Sequence, residues 1–210
     1  MLAGTTNTDW EAVSVGPCGE RTCVYVGDLG DNRERWSAVA IYRIVEPRIS
    51  DTTPITVSQV ERLRLRYPGN LRHDVEAMAA LPDGALLLVT KGRSRGVLLY
   101  QVAAKDWGTD APVEAVRIDS LPIDPHAGTG RLVTDMAVTP DGSRMVVRTY
   151  RDLYVFSRSS DGSVEPVVSC NIVGREPQGE GVARLPDGRL LLLSERGLFK
   201  TGTVHAAKCG

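Results

Sequence analysis

A fourfold repeat constrains this 210-residue chain more than any other feature of its sequence. Each copy places one carboxylate before a short run of small and apolar residues. Three copies continue into a Pro-Asp-Gly turn, at residues 82–84, 140–142 and 186–188, and then into a second apolar run. Proline presets the turn geometry and glycine accepts positive φ, so each copy predicts two strands joined by a tight turn. The four carboxylates of the repeat are Glu11, Glu76, Asp135 and Glu180.

The spacing of these carboxylates is typical of a β-propeller. The intervals from 11 to 76, 76 to 135 and 135 to 180 suit four-stranded blades of about 40–50 residues with some longer loops. Helical periodicity is almost absent from the chain. We therefore predict a single all-β domain, a β-propeller whose four visible blades span about 9–66, 74–120, 133–173 and 178–210. A two-sheet sandwich with coincidental turns is the alternative.

Composition excludes several classes of partner. Lys and Arg number 25 and Asp and Glu 26, so no basic excess points to nucleic acid or an anionic membrane surface. No window approaches 18 uninterrupted apolar residues, so we expect no transmembrane span. The hydrophobic fraction of 42% is ordinary for a globular domain with a sizeable core.

Four cysteines indicate the redox compartment. Cys18 and Cys23 bracket a short polar turn, Cys170 follows an apolar run, and Cys209 lies next to the C-terminus. We predict two disulfides, Cys18–Cys23 and Cys170–Cys209. A zinc site, which would lack CxxC knuckles, and unpaired thiols in a cytosolic protein are the alternatives. The cysteine pattern favours a secreted or extracytoplasmic protein. Because the first residues do not form a signal-peptide pattern, we expect that its signal has been removed.

The repeated carboxylates predict an acidic site on the propeller axis. The innermost strand of each blade lines the central channel, so Glu11, Glu76, Asp135 and Glu180 should converge at one mouth. Like charges at close range repel unless protons or a cation intervene. Calcium, a hard cation with oxygen ligands, fits a loose ring of carboxylates better than magnesium does. Alternatively, these side chains accept hydrogen bonds from the backbone of neighbouring blades.

A second group of polar residues lies where the second strand of each blade returns to the same mouth. Such a mixture of cations and anions suits a small anionic ligand carrying phosphate, sulfate or carboxylate. A structural salt-bridge lattice is the alternative. The predicted ligand-binding residues are Asp28, Lys91, Arg148, Tyr150, Glu195 and Arg196.

One loop and two histidines are weaker candidates for a chemical role. The loop at residues 27–32 carries three oxygen-bearing side chains that could hold calcium or cap a turn. His73 and His126 could act as a general base beside a metal, although loop histidines are more often solvated. The sequence contains no P-loop or HExxH motif.

Taken together, a set of short motifs resembles a family of exported bacterial β-propeller proteins, mostly actinobacterial. The motifs are DWE at 9–11, YVGDLGDN at 25–32, IYRIVEP at 41–47, HDVEA at 73–77, VRTY at 147–150 and QGEGVA at 178–183. The chain is more distantly similar to esterase-like phytases and to calcium-dependent propellers of the gluconolactonase and strictosidine-synthase type. This resemblance implies metal-binding carboxylates at the starts of inner strands. Family members usually carry one more blade-like segment upstream, which leaves open a fragment of a five- or six-bladed ring.

Three functions follow from these observations. The first is an exported propeller whose acidic axial site binds calcium and a small anionic ligand. The second is a calcium-dependent hydrolase of a phosphoester, ester or lactone, in which Lys91 or Arg148 would hold the anion. The third is a non-catalytic scaffold that binds a protein partner or the cell envelope. Binding is favoured over catalysis because the sequence shows no unambiguous nucleophile or base.

Overall fold

The computed structural model describes residues 1–48, 50–51, 53–172, 176–196 and 201–210. Within these residues the strands are β1 (Trp10–Cys18), β2 (Arg21–Asp28), β3 (Val39–Val45), β4 (Glu61–Arg66), β5 (Val75–Ala80), β6 (Leu86–Thr90), β7 (Val97–Val102), β8 (Val113–Glu114), β9 (Val116–Leu121), β10 (Val133–Val138), β11 (Arg144–Thr149), β12 (Asp152–Arg158), β13 (Val164–Asn171), β14 (Gln178–Arg184), β15 (Leu190–Glu195) and β16 (Val204–Ala207). Short 3₁₀ helices at Pro68–Asn70, Ala104–Asp106 and Ala127–Thr129 lie in the connections.

The described strands form four sheets arranged as the blades of a β-propeller, which confirms the predicted fold class. Blade 1 contains β1 to β4 in antiparallel order, and β8 joins its outer edge in parallel. Blade 2 contains β5, β6, β7 and β9, blade 3 contains β10 to β13, and blade 4 contains β14 to β16. The expected end of blade 3 at Val173 lies outside the described residues.

Among the described residues, three hydrophobic cores join successive blades. Strand side chains alternate between the two faces of a sheet, so each central blade contributes one face to the blade before it and one to the blade after it. Blades 1 and 2 share a core around Tyr25 and Leu88, and blades 2 and 3 share one around Val89 and Val147. Blades 3 and 4 meet through Val155 and Leu192 and their neighbours. This stacking places the first residues of the inner strands together at one mouth of the channel.

Both predicted disulfides are present. Cys18–Cys23 closes the β1–β2 hairpin, and Cys170–Cys209 ties β13 to the segment after β16. The Cα atoms are 5.8 Å apart in each pair, and none of the four cysteines is free. The zinc and free-thiol alternatives are therefore wrong.

The described residues contain no helix that combines the length and the apolar character needed to cross a membrane.

Candidate functional site

A β-bulge at the start of three inner strands presents a glutamate at the mouth. In β1 the pairing with β2 jumps from Trp10 to Ala12, which leaves Glu11 as the extra residue. The same shift leaves out Glu76 in β5 and Glu180 in β14. A bulge locally disrupts the ladder and redirects the side chain of the extra residue. The repeated feature is thus a bulged glutamate at equivalent positions of blades 1, 2 and 4.

Blade 3 departs from the predicted register by one residue. Its bulge lies between Val133 and Asp135, so Thr134 occupies the position of the three glutamates. Asp135 instead pairs across the sheet with Arg148. Its carboxylate accepts a hydrogen bond from the backbone N–H of Val182 at 2.7 Å, in blade 4. Asp135 therefore links two blades, which is the alternative role considered from the sequence.

Lys91 lies among the three bulged glutamates. Its ammonium group forms a buried ion pair with Glu76, and the two side chains are only 7% and 3% exposed. The charge of Lys91 also acts on Glu11 and Glu180. The ring of Tyr150 is centred 5.9 Å from the Lys91 Nζ atom. The mouth thus combines three carboxyl groups, one ammonium group and one phenol.

Burial favours the protonated form of these carboxyl groups. Desolvation, followed by repulsion from Glu76, raises the pKa of Glu11 to about 8. Desolvation also raises the pKa of Glu76 to about 7, although Lys91 opposes this rise. The pKa of Glu180 is likewise raised by burial, and that of Asp135 is raised by burial to about 7. The mouth therefore holds protons near neutral pH as well as the Lys91 ammonium group.

The oxygen donors at the mouth are of a chemical type that suits calcium, but their present positions suit it less well. Carboxylate oxygens are hard donors of the kind that calcium takes. In the described part of the chain, however, no group of three or more His, Cys, Asp or Glu side chains is arranged to hold a metal ion. Glu76 is already paired with Lys91. An ion at this mouth would have to compete with that pair.

The loop at residues 27–32 holds the chain start and the Glu11 side chain in place. Asp28 accepts hydrogen bonds from the backbone N–H groups of Thr8 and Asp9 at 3.0 and 2.7 Å. A Cβ atom on Gly30 would lie 2.6 Å from the Asp9 carboxyl group and 2.7 Å from the Glu11 side chain. Gly30 is therefore needed where two acidic side chains pack on the backbone. One carboxylate oxygen of Asp28 accepts both of these hydrogen bonds, so it already serves to hold this loop and the chain start together.

Arg148 is a structural cation below the mouth. Its side chain is fully buried, forms an ion pair with Glu176, and donates to the carbonyl oxygen of Gly181 at 2.6 Å. A Cβ atom on Gly179 would lie 1.6 Å from the Arg148 Nη2 atom. The glycine thus makes room for the guanidinium group, which fastens blade 3 to blade 4.

The remaining predicted residues lie in different settings. Glu195 and Arg196 are exposed at the end of β15, and Glu195 accepts a bond from Gln178 at 3.3 Å. His73 is buried in the core between blades 1 and 2, where its Nε2 atom lies 2.9 Å from the Tyr100 hydroxyl group. His126 is exposed beside a 3₁₀ turn. The structure therefore brings Lys91 and Tyr150 to the glutamates and leaves His73 in the core.

Sequence reasoning missed a second ion pair beside the site. Asp74 is buried, accepts the backbone N–H of Asp31 at 2.9 Å, and pairs with Arg93. Arg93 also donates to the side chain of Asn32. The sequence does carry an indication of this ion pair, because Asp74 lies two residues before a glutamate of the repeat. This network joins the 27–32 loop of blade 1 to blade 2.

A cavity of about 830 Å³ opens toward the Pro-Asp-Gly turns, at the other end of the channel from the glutamates. The inner strands of the four blades all contribute to its lining, at residues 13–17, 79–82, 136–140 and 182–186. Valine, alanine and proline dominate these stretches. This cavity is thus mainly apolar, in contrast to the acidic mouth.

No protein-family model matches the chain, and no curated protein matches its sequence. Solved structures do match. A structural-genomics protein assigned to the gluconolactonases is 13% identical with a TM-score of 0.54, over 89% of this chain and 56% of that one. Sqt1 from Chaetomium thermophilum is 16% identical with a TM-score of 0.50, over 92% and 43% of the two chains.

A third similar structure is the periplasmic gluconolactonase PpgL of Pseudomonas aeruginosa. It is 11% identical with a TM-score of 0.48, over 94% of this chain and 56% of that one. The chain thus spans about half the length of these proteins. At such identities the similarity extends to the fold alone, and the two structures with TM-scores of 0.54 and 0.50 support the β-propeller architecture described above.

Proposed function

We propose that the acidic mouth binds a divalent cation, with calcium as the ion that its oxygen donors favour. The observation that carries this proposal is the repeated bulge, which places Glu11, Glu76 and Glu180 at equivalent positions of three blades. Burying these carboxyl groups costs free energy on folding. Hydrogen bonding within one blade does not require this cost. Asp135, the fourth carboxylate of the sequence repeat, holds blade 4 and is not needed as a ligand.

Lys91 is the natural competitor of the cation. It balances Glu76 in a buried ion pair, and its charge also acts on Glu11 and Glu180. A divalent ion would replace the protons and part of the lysine contact, so binding should release protons. Once displaced from Glu76, the Lys91 ammonium group would be free to hold a small anionic ligand beside the ion, with Tyr150 next to it.

The test is calcium titration by calorimetry, joined to thermal melts in chelator and in excess calcium. If calcium binds only the native state, a concentration one hundred times Kd should stabilise it by about 2.7 kcal/mol. Glu180→Gln should remove most of this gain, while Glu165→Gln, a matched change at an exposed site in β13, should leave it intact. An unchanged melting midpoint and no heat of binding would contradict the proposal.

Lys91→Met provides a second, opposite-signed test. The change removes the competing positive charge, so calcium affinity should rise while the apo protein loses stability, because Glu76 is left buried without its partner. Equal or weaker calcium binding by the Lys91→Met variant would show that the lysine does not compete at this site.

Hydrolysis of an ester or lactone is a second candidate function. The observation that favours it is the packing of the Asp9 and Glu11 side chains side by side on Gly30, a pair of carboxyl groups that can hold and transfer a proton at the mouth. A structurally similar propeller is assigned to the gluconolactonases. Glu11→Gln should abolish hydrolysis of simple lactones and preserve the fold. Wild-type protein that binds calcium but opens no lactone would leave binding as the function.

The two disulfides suit an oxidising compartment, and we extend the proposal to an exported protein. Protein recovered from an exporting host should carry no reactive thiol before reduction and four after it. Free thiols in such a preparation would contradict this assignment.

A further inference from the structure

Two neighbouring loops beside the mouth carry arginines at the protein surface. One loop, residues 31–36, connects β2 to β3, and the other, residues 91–96, connects β6 to β7. Arg93 donates to the side chain of Asn32 and so joins the two loops. We call them the arginine loops, after their exposed residues Arg33, Arg35, Arg93 and Arg95.

The arginine loops lie at the mouth end of blades 1 and 2 and not on a face of either sheet. Blades pack on one another through their sheet faces, as the core shared by blades 1 and 2 shows. The 31–36 loop touches blade 2, where the backbone N–H of Asp31 donates to the Asp74 carboxylate at 2.9 Å. The surface that these loops present is therefore separate from the faces on which blades stack.

The 31–36 loop is held in one shape by its own hydrogen bonds. The buried carboxylate of Asp31 accepts the backbone N–H of Trp36 at 2.6 Å, and its carbonyl oxygen accepts the backbone N–H of Glu34 at 2.7 Å. Glu34 has a φ of 49°, which is uncommon for a residue other than glycine. Such strained turns cluster at binding sites, and a loop that is already ordered loses less entropy when it binds.

This loop borders a cavity of about 450 Å³, a volume typical of binding pockets. The cavity lies between the loop and residues 8–9 of the chain. Its lining includes the side chains of Arg33, Arg35 and Trp36.

Trp36 is the exposed tryptophan of the three in the sequence. Trp10 packs against Tyr42, and Trp107 packs against Tyr25. Trp36 is instead 54% exposed. A large aromatic side chain that a fixed loop presents to solvent is typical of a contact surface.

The charge that this pocket offers to a ligand is positive. Among the acidic residues of the loop, Asp31 is buried and bonded to Trp36, and Glu34 is half-buried with its charge acting on the buried His73. In the part of the chain that the structure describes, Arg33 and Arg35 form no ion pair. These two guanidinium groups are therefore available to carboxylates from outside the chain.

We propose that the arginine loops bind an acidic segment of a partner protein, with Trp36 as the central contact and Arg33 and Arg35 paired with its carboxylates. Tryptophan and arginine are the residues most enriched among energetically dominant interface contacts. The planar guanidinium group matches a carboxylate in two parallel hydrogen bonds. A single exposed indole lacks the successive stacking platforms and the extended basic stripe that single-stranded nucleic acid requires.

Fluorescence anisotropy with a labelled peptide of alternating glutamate and leucine tests this proposal. Wild-type protein should bind this peptide and should not bind the matching peptide of lysine and leucine. Trp36→Ala and Arg33→Gln/Arg35→Gln should each weaken binding about tenfold or more. Arg62→Gln/Arg64→Gln removes two exposed arginines at the same spacing from β4, so it is the matched control and should bind like the wild type.

Peptide binding should be the same in chelator and in calcium, which separates this surface from the acidic mouth. Wild-type protein that does not bind the acidic peptide would overturn the proposal. So would an equal loss in the two double arginine variants, because the peptide would then respond to overall charge alone. Binding of a heparin fragment without binding of the peptide would identify an anionic glycan as the ligand instead.

Discussion

At the scale of single residues, a buried arginine joins blades 3 and 4. Arg148 is enclosed by Glu176 and by the carbonyl oxygens of Gly181 and Leu193. Removing one partner of a buried ion pair leaves an uncompensated charge, which is far more destabilising than losing a surface pair. The space for its guanidinium group depends on the missing side chain of Gly179.

We predict that Gly179→Ala lowers the free energy of unfolding by about 3–5 kcal/mol, because the new methyl group displaces the Arg148 guanidinium from its partners. Urea unfolding measures the loss. The double-mutant cycle with Arg148→Ala is the control, because Gly179→Ala should cost little once the guanidinium is absent. Additive effects would show that the glycine acts through something other than Arg148.

His73 gives a prediction for pH. Burial, the largest cause, lowers the pKa of His73 below its ordinary 6.5, and the nearby Arg95 and Arg117 add to this while Glu34 opposes it. A lowered pKa means that the unfolded state binds the proton first on acidification. The contribution of His73 to stability is therefore present above pH 6.5 and is lost as the pH falls through the lowered pKa.

The measurement is urea unfolding of the wild type and of His73→Gln at about pH 7 and about pH 5. The glutamine variant should be the less stable protein at neutral pH, and the gap between the two should narrow in acid. Parallel losses in both proteins would mean that His73 does not titrate between these values. Comparing the two proteins cancels the contributions of the glutamates at the mouth.

At the scale of elements, the two disulfides close loops of very different length. Cys170–Cys209 spans 39 residues and fixes the C-terminal segment to β13, whereas Cys18–Cys23 spans 5 within one hairpin. Chain-entropy reasoning assigns about 4 kcal/mol to the longer loop and about 2 kcal/mol to the shorter one. The longer link adds to the hydrophobic core and the Arg148 contacts that join the described three-stranded β14–β16 sheet to blade 3.

We therefore expect the Cys170→Ser/Cys209→Ser pair of changes to lower the melting temperature about twice as much as Cys18→Ser/Cys23→Ser does. Thermal unfolding followed by circular dichroism compares the two double variants directly. Equal shifts, or a larger effect of the hairpin link, would mean that native contacts and not loop closure determine the contribution of each disulfide.

At the scale of the whole molecule, stability should vary from blade to blade. Blades 2 and 3 have both faces covered, whereas blades 1 and 4 each have one open face in the part of the chain that the structure describes. Every residue of β6 is buried, but in β15 only Leu190 and Leu192 are buried. Local opening needs less free energy where fewer apolar contacts must break.

Native-state hydrogen exchange should therefore show the slowest exchange in β6 and β11 and the fastest strand exchange in β15 and β16. Uniform protection across the four blades would contradict the expectation that blades 1 and 4 open more readily than blades 2 and 3.

The repeat could be recognised in the sequence because it consists of local signals. Pro-Asp-Gly turns and alternating apolar runs depend on backbone preferences and on the period of a strand, and both act over a few residues. The close spacing of Cys18 and Cys23 was informative in the same way, because both lie in one hairpin.

The chemistry of the mouth could not be read in the same way. Asp135 follows Thr134 directly, and only the pairing with β11 shows that the threonine takes the bulge position. A shift of one residue reverses the side to which a strand side chain points, so a carboxylate expected on the axis binds blade 4 instead. The sequence by itself determined the repeat, its turns and the propeller class, because these rest on local backbone preference. Only the tertiary structure decided which charges meet, because Lys91 with Glu76 and Arg148 with Glu176 are buried pairs made by register and packing between distant residues.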